Sequence, residues 1–359
     1  MLAGFALAVL SFTASPVIAQ ESSETLDLGE MIKPLDEHNL FRDSLYYNWG
    51  GSILKGDDGT YHLFYSRWKK KYSFKGWLTF SEIAHAVSDS PLGPWKYKET
   101  VLKGRELDSL TKEGKLENHS WDAITAHNAK IKYFDGKYYL YYISTNFGDE
   151  AYTFDELLKA NENLRDPKRG LLRKNQRSGV AVANSLNGPW KRMDMPLIEP
   201  SGPIVTLTVN PAIAKGKSGD YFLIVKGDKP NVKGFIRNQA IAIGESPVGP
   251  FVMQDKAVID NLDTEDVSMW YDSNRDRFYA VFHAHSFIGL VTAKDGINWR
   301  RATNFKITPK KILLEDGSWI NPDRMERPFV YVEEGQPKVL LVAIKKGNDS
   351  YIACIPLGE

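Results

Sequence analysis

The segment from Val209 to Phe251 reads Val209-Asn210-Pro211-Ala212-Ile213, a turn at Gly216-Lys217-Ser218-Gly219 and the apolar run Tyr221-Phe222-Leu223-Ile224-Val225. It continues with Ala240-Ile241-Ala242-Ile243 and the tail Ser246-Pro247-Val248-Gly249-Pro250-Phe251. Short runs rich in β-branched and aromatic residues, each bounded by Gly, Pro, Asp or Ser, predict consecutive antiparallel strands. The segment is therefore a four-stranded meander, and its recurrence decides the fold.

The meander recurs. A first copy runs from Gly50-Gly51-Ser52-Ile53 through Tyr61-His62-Leu63-Phe64-Tyr65 to Ser90-Pro91-Leu92-Gly93-Pro94-Trp95, and a second from Asn128-Ala129-Lys130-Ile131 to Gly188-Pro189-Trp190. A fourth spans Asp266 to Trp299, and a fifth starts at Arg327-Pro328-Phe329-Val330 and closes with Tyr351-Ile352-Ala353-Cys354-Ile355. Repeated four-stranded units with an aromatic at the same point of the outer strand predict an all-β, five-bladed β-propeller with four-stranded antiparallel blades. A β-sandwich would also give short strands, but not the Gly-Pro-aromatic punctuation. The expected organisation is a signal peptide at 1–19, an N-terminal segment at 20–40 and the propeller at 41–359. In the second copy an insertion of roughly 146–177 carries the capping box Thr153-Phe-Asp-Glu156, which predicts a short helix followed by a basic run. A further insertion in the first copy carries Arg67-Trp68-Lys69-Lys70-Lys71 and Trp77.

Lysine and arginine total 46 against 45 acids, a net charge of +1, so no nucleic-acid partner is expected. Residues 2–15 are uncharged and Val17-Ile18-Ala19 precedes Gln20 as a cleavage site would, which predicts export, secreted or periplasmic. The run is too short for a membrane span. Cys354 is the single cysteine, so an intramolecular disulfide is excluded, and its apolar strand context predicts an inert buried thiol.

In a propeller the innermost strands begin around the central channel. The openings here are Trp49-Gly50-Gly51, His127-Asn128-Ala129, Val209-Asn210-Pro211, Glu265-Asp266-Val267 and Glu326-Arg327-Pro328. These openings form a polar ring, which points to a site or to a channel filled by water or by a structural calcium ion; no cofactor beyond that is required. With the Gly-Pro-Trp tails and the Asn-Pro-Ala-Ile opening, they resemble the five-bladed glycoside hydrolases of family 43 and relatives such as family 117. The resemblance covers about residues 45–355 and implies exo-acting hydrolysis of a terminal sugar by acids at the blade openings. It implies aspartates at the first two openings, where this chain has Gly50 and Asn128. Relatives in family 117 imply a histidine acid, for which His127, His283 and His285 are the candidates.

Glycoside hydrolysis needs one group to protonate the departing oxygen and another to activate water, roughly 6.5 to 9.5 Å apart for inversion. Asp266 as base and Glu326 as acid are the leading pair, with exchanged roles open. Glu265 is the alternate for either, and Asp122 in the loop entering the second blade is a further base candidate. Trp49 and Trp121 are candidates to stack on sugar rings, alongside Trp68, Trp77 and Trp270. Asn128, Asn210, His283 and His285 are candidates to hydrogen-bond sugar hydroxyls, and Arg327 and Arg67 to bind an anionic oligosaccharide or polysaccharide. Two other classes stay open: a propeller that binds glycan without cleaving it, and a polysaccharide lyase using His127 and Tyr142.

Overall fold

The computed structural model describes residues 26–107, 115–116, 120–233 and 236–358. The expected signal peptide lies outside the described residues. Five four-stranded antiparallel sheets form the blades of a propeller. The innermost strands are Tyr46–Lys55, His127–Phe134, Val205–Lys215, Glu265–Asp272 and Arg324–Glu333, each opening a meander at the position expected from the repeat.

Every cleft between neighbouring blades has its own apolar core, because each sheet has two faces to bury. Between the third and fourth blades, Ala212, Ile224 and Ile241 meet Met269, Phe278 and Phe282. Between the fifth and first, Phe329, Val339 and Leu341 meet Leu63, Tyr65 and Ala86. The punctuation of the sequence has a common backbone form: Gly93-Pro94, Gly188-Pro189 and Gly249-Pro250 are all cis. The aromatic that follows folds into the cleft; Trp95 Nε1 donates to Cys354 Sγ at 3.3 Å, and burial pushes that thiol up to about 12.

The fifth blade takes one strand from the N-terminal end. Only three of its strands come from the C-terminal end, Arg324–Glu333, Gln336–Lys346 and Asp349–Pro356; the outermost is Leu40–Phe41, paired with Ala353 and Ile352. Residues upstream also belong to the domain. Leu26, Leu28 and Leu35 are buried between the fourth and fifth blades, and Ile32 bridges to Leu357. A two-residue strand offers too little periodicity to be read from sequence.

The second-blade insertion forms two helices, Phe154–Glu162 and Pro167–Lys174. The first has the expected capping box: Thr153 Oγ1 accepts from Glu156 N and the Glu156 carboxylate accepts from Thr153 N. Leu157, Ala160 and Leu172 are fully buried against Trp68, Leu78 and Phe80 of the first-blade insertion. The two insertions therefore pack on each other and wall one mouth of the channel.

Candidate active site

All five innermost strands carry a register shift at the same point, next to Gly50, Asn128, Asn210, Asp266 and Arg327. All five residues have left-handed backbone, with φ between 49° and 61°. A bulge of this kind leaves one residue unpaired and turns its side chain toward the axis. Gly, Asn and Asp tolerate that conformation best, which accounts for four of the five identities. Arg327 is the exception, and its side chain is what fills the ring.

The ring is one hydrogen-bonded chain. Asn128 Nδ2 donates to Asn210 Oδ1 at 2.8 Å, and Asn210 Nδ2 donates to Asp266 Oδ1 at 2.5 Å. Arg327 Nη1 donates to both Asn210 Oδ1 and Asp266 Oδ1. His283 Nδ1 lies 2.9 Å from the other Asp266 oxygen. Burial opposes ionisation of Asp266, but the Arg327 guanidinium and His283 outweigh it and hold the carboxyl well below the usual range. Across the axis, Lys130 of the second blade reaches to 5.3 Å from the Phe329 ring of the fifth, and Lys132 Nζ donates to Met269 O of the fourth. Burial lowers Lys130 to about 7 and Lys132 to about 8.

Above the ring opens a cavity of about 340 Å³, within the range of small-molecule sites. Trp49, Trp68, Phe74 and Trp77 form an aromatic wall. Trp49 and Trp68 are almost wholly buried, and Trp49 packs edge-on to Phe74 with ring centres 5.0 Å apart. His127 lies against Trp68 and Trp77; its Nδ1 is 2.7 Å from Ser81 Oγ and its Nε2 has no partner among the described residues. Burial, aided by Arg327, holds this imidazole neutral, its pKa well below the ordinary histidine value. That disfavours a histidinium acid and suits a hydrogen bond to a sugar hydroxyl.

The opposite wall is charged. Arg169 and Arg173, one turn apart on the helix Pro167–Lys174, line it with Lys226, Arg237, Arg324 and Arg327; among the described residues the carboxylates in the lining are Glu265 and Glu326. Glu265 pairs with Arg237 and lies 3.8 Å from Lys226. Glu326 has Arg324 at 3.4 Å. Arg173 holds Asp228 with both Nη atoms, at 3.0 and 2.6 Å, which fixes the helix end over the cavity. Burial lowers Lys226 to about 7.

The candidates read from sequence thus separate. Glu265, Glu326, His127, Trp49, Asn210 and Arg327 line this cavity, while His283 and His285 line an adjoining one that shares Glu265 and Glu326. Asp266 and Asn128 are in the ring beneath, almost wholly buried, and neither lines either cavity. With Oδ1 held by Asn210 and Arg327 and no face on either cavity, Asp266 is the counter-ion of Arg327, and the carboxylates that face the cavity are Glu265 and Glu326.

Four assignments are corrected outright. Asp122 is buried under Arg105, Arg192 and Tyr142, all bonded to its carboxylate, and Tyr142 is thereby removed from His127 as well. Trp121 packs on Tyr142 and donates to Met193 O. Arg67 is bound to Glu82, Tyr97 and Thr100. Trp270 is core, stacked on Tyr279. The sequence reading missed Lys226, Arg237 and Arg324; Lys226 carries a signal, since it follows the apolar run 221–225 on the same side of the strand as Phe222 and Ile224.

The residues on the axis do not fit a calcium ion. Calcium takes six to eight oxygens, roughly, from carboxylates and carbonyls; the one axial carboxylate is already bound to Arg327, and Lys130 extends across the channel. Glu265, Asp266 and His283 do bring ligand atoms within 4.8 Å of one another. Arg237, Lys226 and Arg327 already neutralise that group.

No family model matches the chain, and no curated protein matches it in sequence. Among solved structures it is similar to a family 117 glycoside hydrolase from the marine bacterium Zobellia galactanivorans, with a TM-score of 0.59, 17% identity and coverage of 90% of this chain and 88% of that one. It is similar to an alpha-L-arabinofuranosidase from Lactobacillus brevis (TM-score 0.54, 15% identity, 92% and 94% covered). A thermostable family 43 glycoside hydrolase aligns likewise (TM-score 0.56, 12% identity, 89% and 93% covered). The chain therefore has the propeller fold on which these family 43 and family 117 glycoside hydrolases are built.

Proposed function

We propose that the protein is a glycoside hydrolase that removes a terminal sugar from an anionic oligosaccharide or polysaccharide. The observation that carries this reading is the pairing of two carboxylates, Glu265 and Glu326, on the wall of a cavity whose other charged residues are six cations. Glu265, ion-paired with Arg237 and 3.8 Å from Lys226, takes the proton of the attacking water. Glu326, whose cation partner is the more distant Arg324, protonates the departing oxygen. The aromatic wall receives the apolar face of the sugar ring, and the arginines suit a carboxylate or sulfate upon it. A pocket closed on one side by the insertion helices favours exo-action at a chain end. Export follows from the uncharged residues 2–15, and N-terminal sequencing of the secreted or periplasmic protein should begin at Gln20.

A second reading, glycan binding without cleavage, is favoured by Gly50 and Asn128 standing where the family resemblance implies aspartates. The test is incubation with uronate-containing and sulfated oligosaccharides, followed by reducing-sugar release and ultraviolet absorbance. Hydrolysis gives new reducing ends without absorbance, a lyase gives an absorbing unsaturated end, and a binder gives neither. Glu265→Gln and Glu326→Gln should each lower kcat by about 10² to 10⁴. Unchanged turnover in both variants would remove these two residues from the chemistry.

A further inference from the structure

Beside the aromatic cavity lies a second one of about 310 Å³ with no aromatic lining. The two share a wall made of Arg237, Glu265, Arg324 and Glu326, and the second adds His285 and Lys310. Its other acids are already engaged. Asp263 is held by Arg237 through its side chain and backbone N–H, and Asp323 accepts from Gly347 N at 2.9 Å. Lys310 and His285, by contrast, have no hydrogen-bond or ion-pair partner among the described residues, and His285 is exposed. Lys310 is partly buried, so its ammonium loses water without gaining a neighbouring acid in contact, and burial lowers its pKa.

The shared wall fixes how these cavities relate to the chemistry. A glycosidic oxygen placed between Glu265 and Glu326 puts one sugar on the aromatic side and the next on the side of Lys310. We propose that the second cavity is the leaving-group subsite and that it takes a sugar bearing a carboxylate or sulfate, held by Lys310 and His285 with Arg324 at the boundary. The leaving-group role rests on the hydrolase reading above; the anion recognition does not. In the reaction, the bond from the anomeric carbon to the bridging oxygen breaks. The proton of Glu326 passes to that oxygen on the sugar in the second cavity, and water gives its proton to Glu265 and its hydroxide to the anomeric carbon in the first. With the anion proposed for the sugar in the first cavity, the sugars on both sides of the cleaved bond then carry a charge, and the substrate is a polyanionic glycan.

The test is a comparison of D-galacturonic acid, D-galactose 6-sulfate and neutral D-galactose as displacers of selenate, a heavy-atom analogue of sulfate, from crystals of the full chain. Anomalous density for selenate is expected in contact with Lys310 Nζ, absent in Lys310→Met and restored in Lys310→Arg. Each charged sugar should displace it at a concentration about tenfold lower than galactose, the advantage of one charge-assisted hydrogen-bonded contact. Displacement by only one charged sugar identifies whether carboxylate or sulfate is read. No selenate at Lys310, or density that persists in Lys310→Met, overturns the proposal. Selenate that no charged sugar displaces better than galactose is an adventitious ion only and overturns it too. These readouts need no turnover. A protein that passes them yet releases no reducing sugar loses the hydrolase reading and keeps the anion site; one that hydrolyses glycans and fails them loses the subsite alone.

Discussion

Asp266 and Lys130 show how differently two buried charges behave on one axis. Asp266→Asn removes the charge opposite Arg327 and leaves a buried guanidinium uncompensated, at a cost of about 3–5 kcal/mol. Urea denaturation at neutral pH should show that loss whether or not hydrolysis survives. Because the folded-state pKa of Asp266 is depressed, its stabilisation is fully present above the 3.8 of a free aspartate. It declines as pH falls below that value, where the unfolded chain takes up the proton first, so the gap between wild type and Asp266→Asn should narrow in acid. Lys130 runs the other way. Its folded-state pKa of about 7 lies below the 10.5 of a free lysine, so between those values the unfolded chain holds a proton the folded one lacks, and wild-type stability rises with pH. Lys130→Met should therefore have the higher Tm at neutral pH, with the advantage shrinking toward pH 10; an advantage independent of pH would show that the ammonium is satisfied. At this scale the sequence was legible where a residue opens a blade, as Glu265, Glu326 and Arg327 do. It misled at Asp122, Trp121 and Arg67, whose polarity or size serves buried contacts between strands and loops. Nothing in residue type separates an aspartate that faces a cavity from one that three neighbours have already claimed.

The helical insertion is the element that converts a propeller mouth into a pocket. Its first helix starts at a capping box and its second carries Arg169 and Arg173 on one face, three to four residues being the spacing of neighbours on a helix. Thr153→Ala removes the cap and should cost about 1 kcal/mol. The loss belongs to the insertion, so hydrogen exchange should accelerate across 154–162 while the inner strands stay protected; uniform acceleration would mean that the insertion and the blades open as a single unit. The capping box and the basic run were both legible from sequence. Their seat was not, because the apolar face of the insertion packs on Trp68, Leu78 and Phe80 from a different blade, a contact between residues far apart in the chain.

For the whole molecule, closure depends on which piece of chain completes the fifth blade. Leu40–Phe41 supplies that strand, and Phe41 packs edge-on to Tyr65 of the first blade at 5.1 Å. A chain beginning at residue 42 loses this strand together with Leu26, Leu28 and Leu35, and should unfold at lower temperature than one beginning at residue 20, with exchange fastest in Asp349–Pro356. Equal midpoints would show that the C-terminal strands close the ring unaided. Five meanders, three of them ending in a Gly-Pro-aromatic tail, made the architecture readable, since each repeat confirms the next. The ring at the axis was only half readable: Asn and Asp at the openings were visible, whereas their left-handed backbone and the guanidinium that spans them emerge only when the blades are assembled. That guanidinium also orders the mutational history open to this protein. A Cβ at residue 50 would sit 2.9 Å from Cβ and Cγ of Arg327, so the smallest side chain in the ring and the largest exist by mutual exclusion. An acid cannot be introduced at 50 while Arg327 stands, and shortening Arg327 first strands Asp266 without its counter-ion. The two positions are an epistatic pair: each single step is penalised, and only a double change opens the road to a differently charged axis.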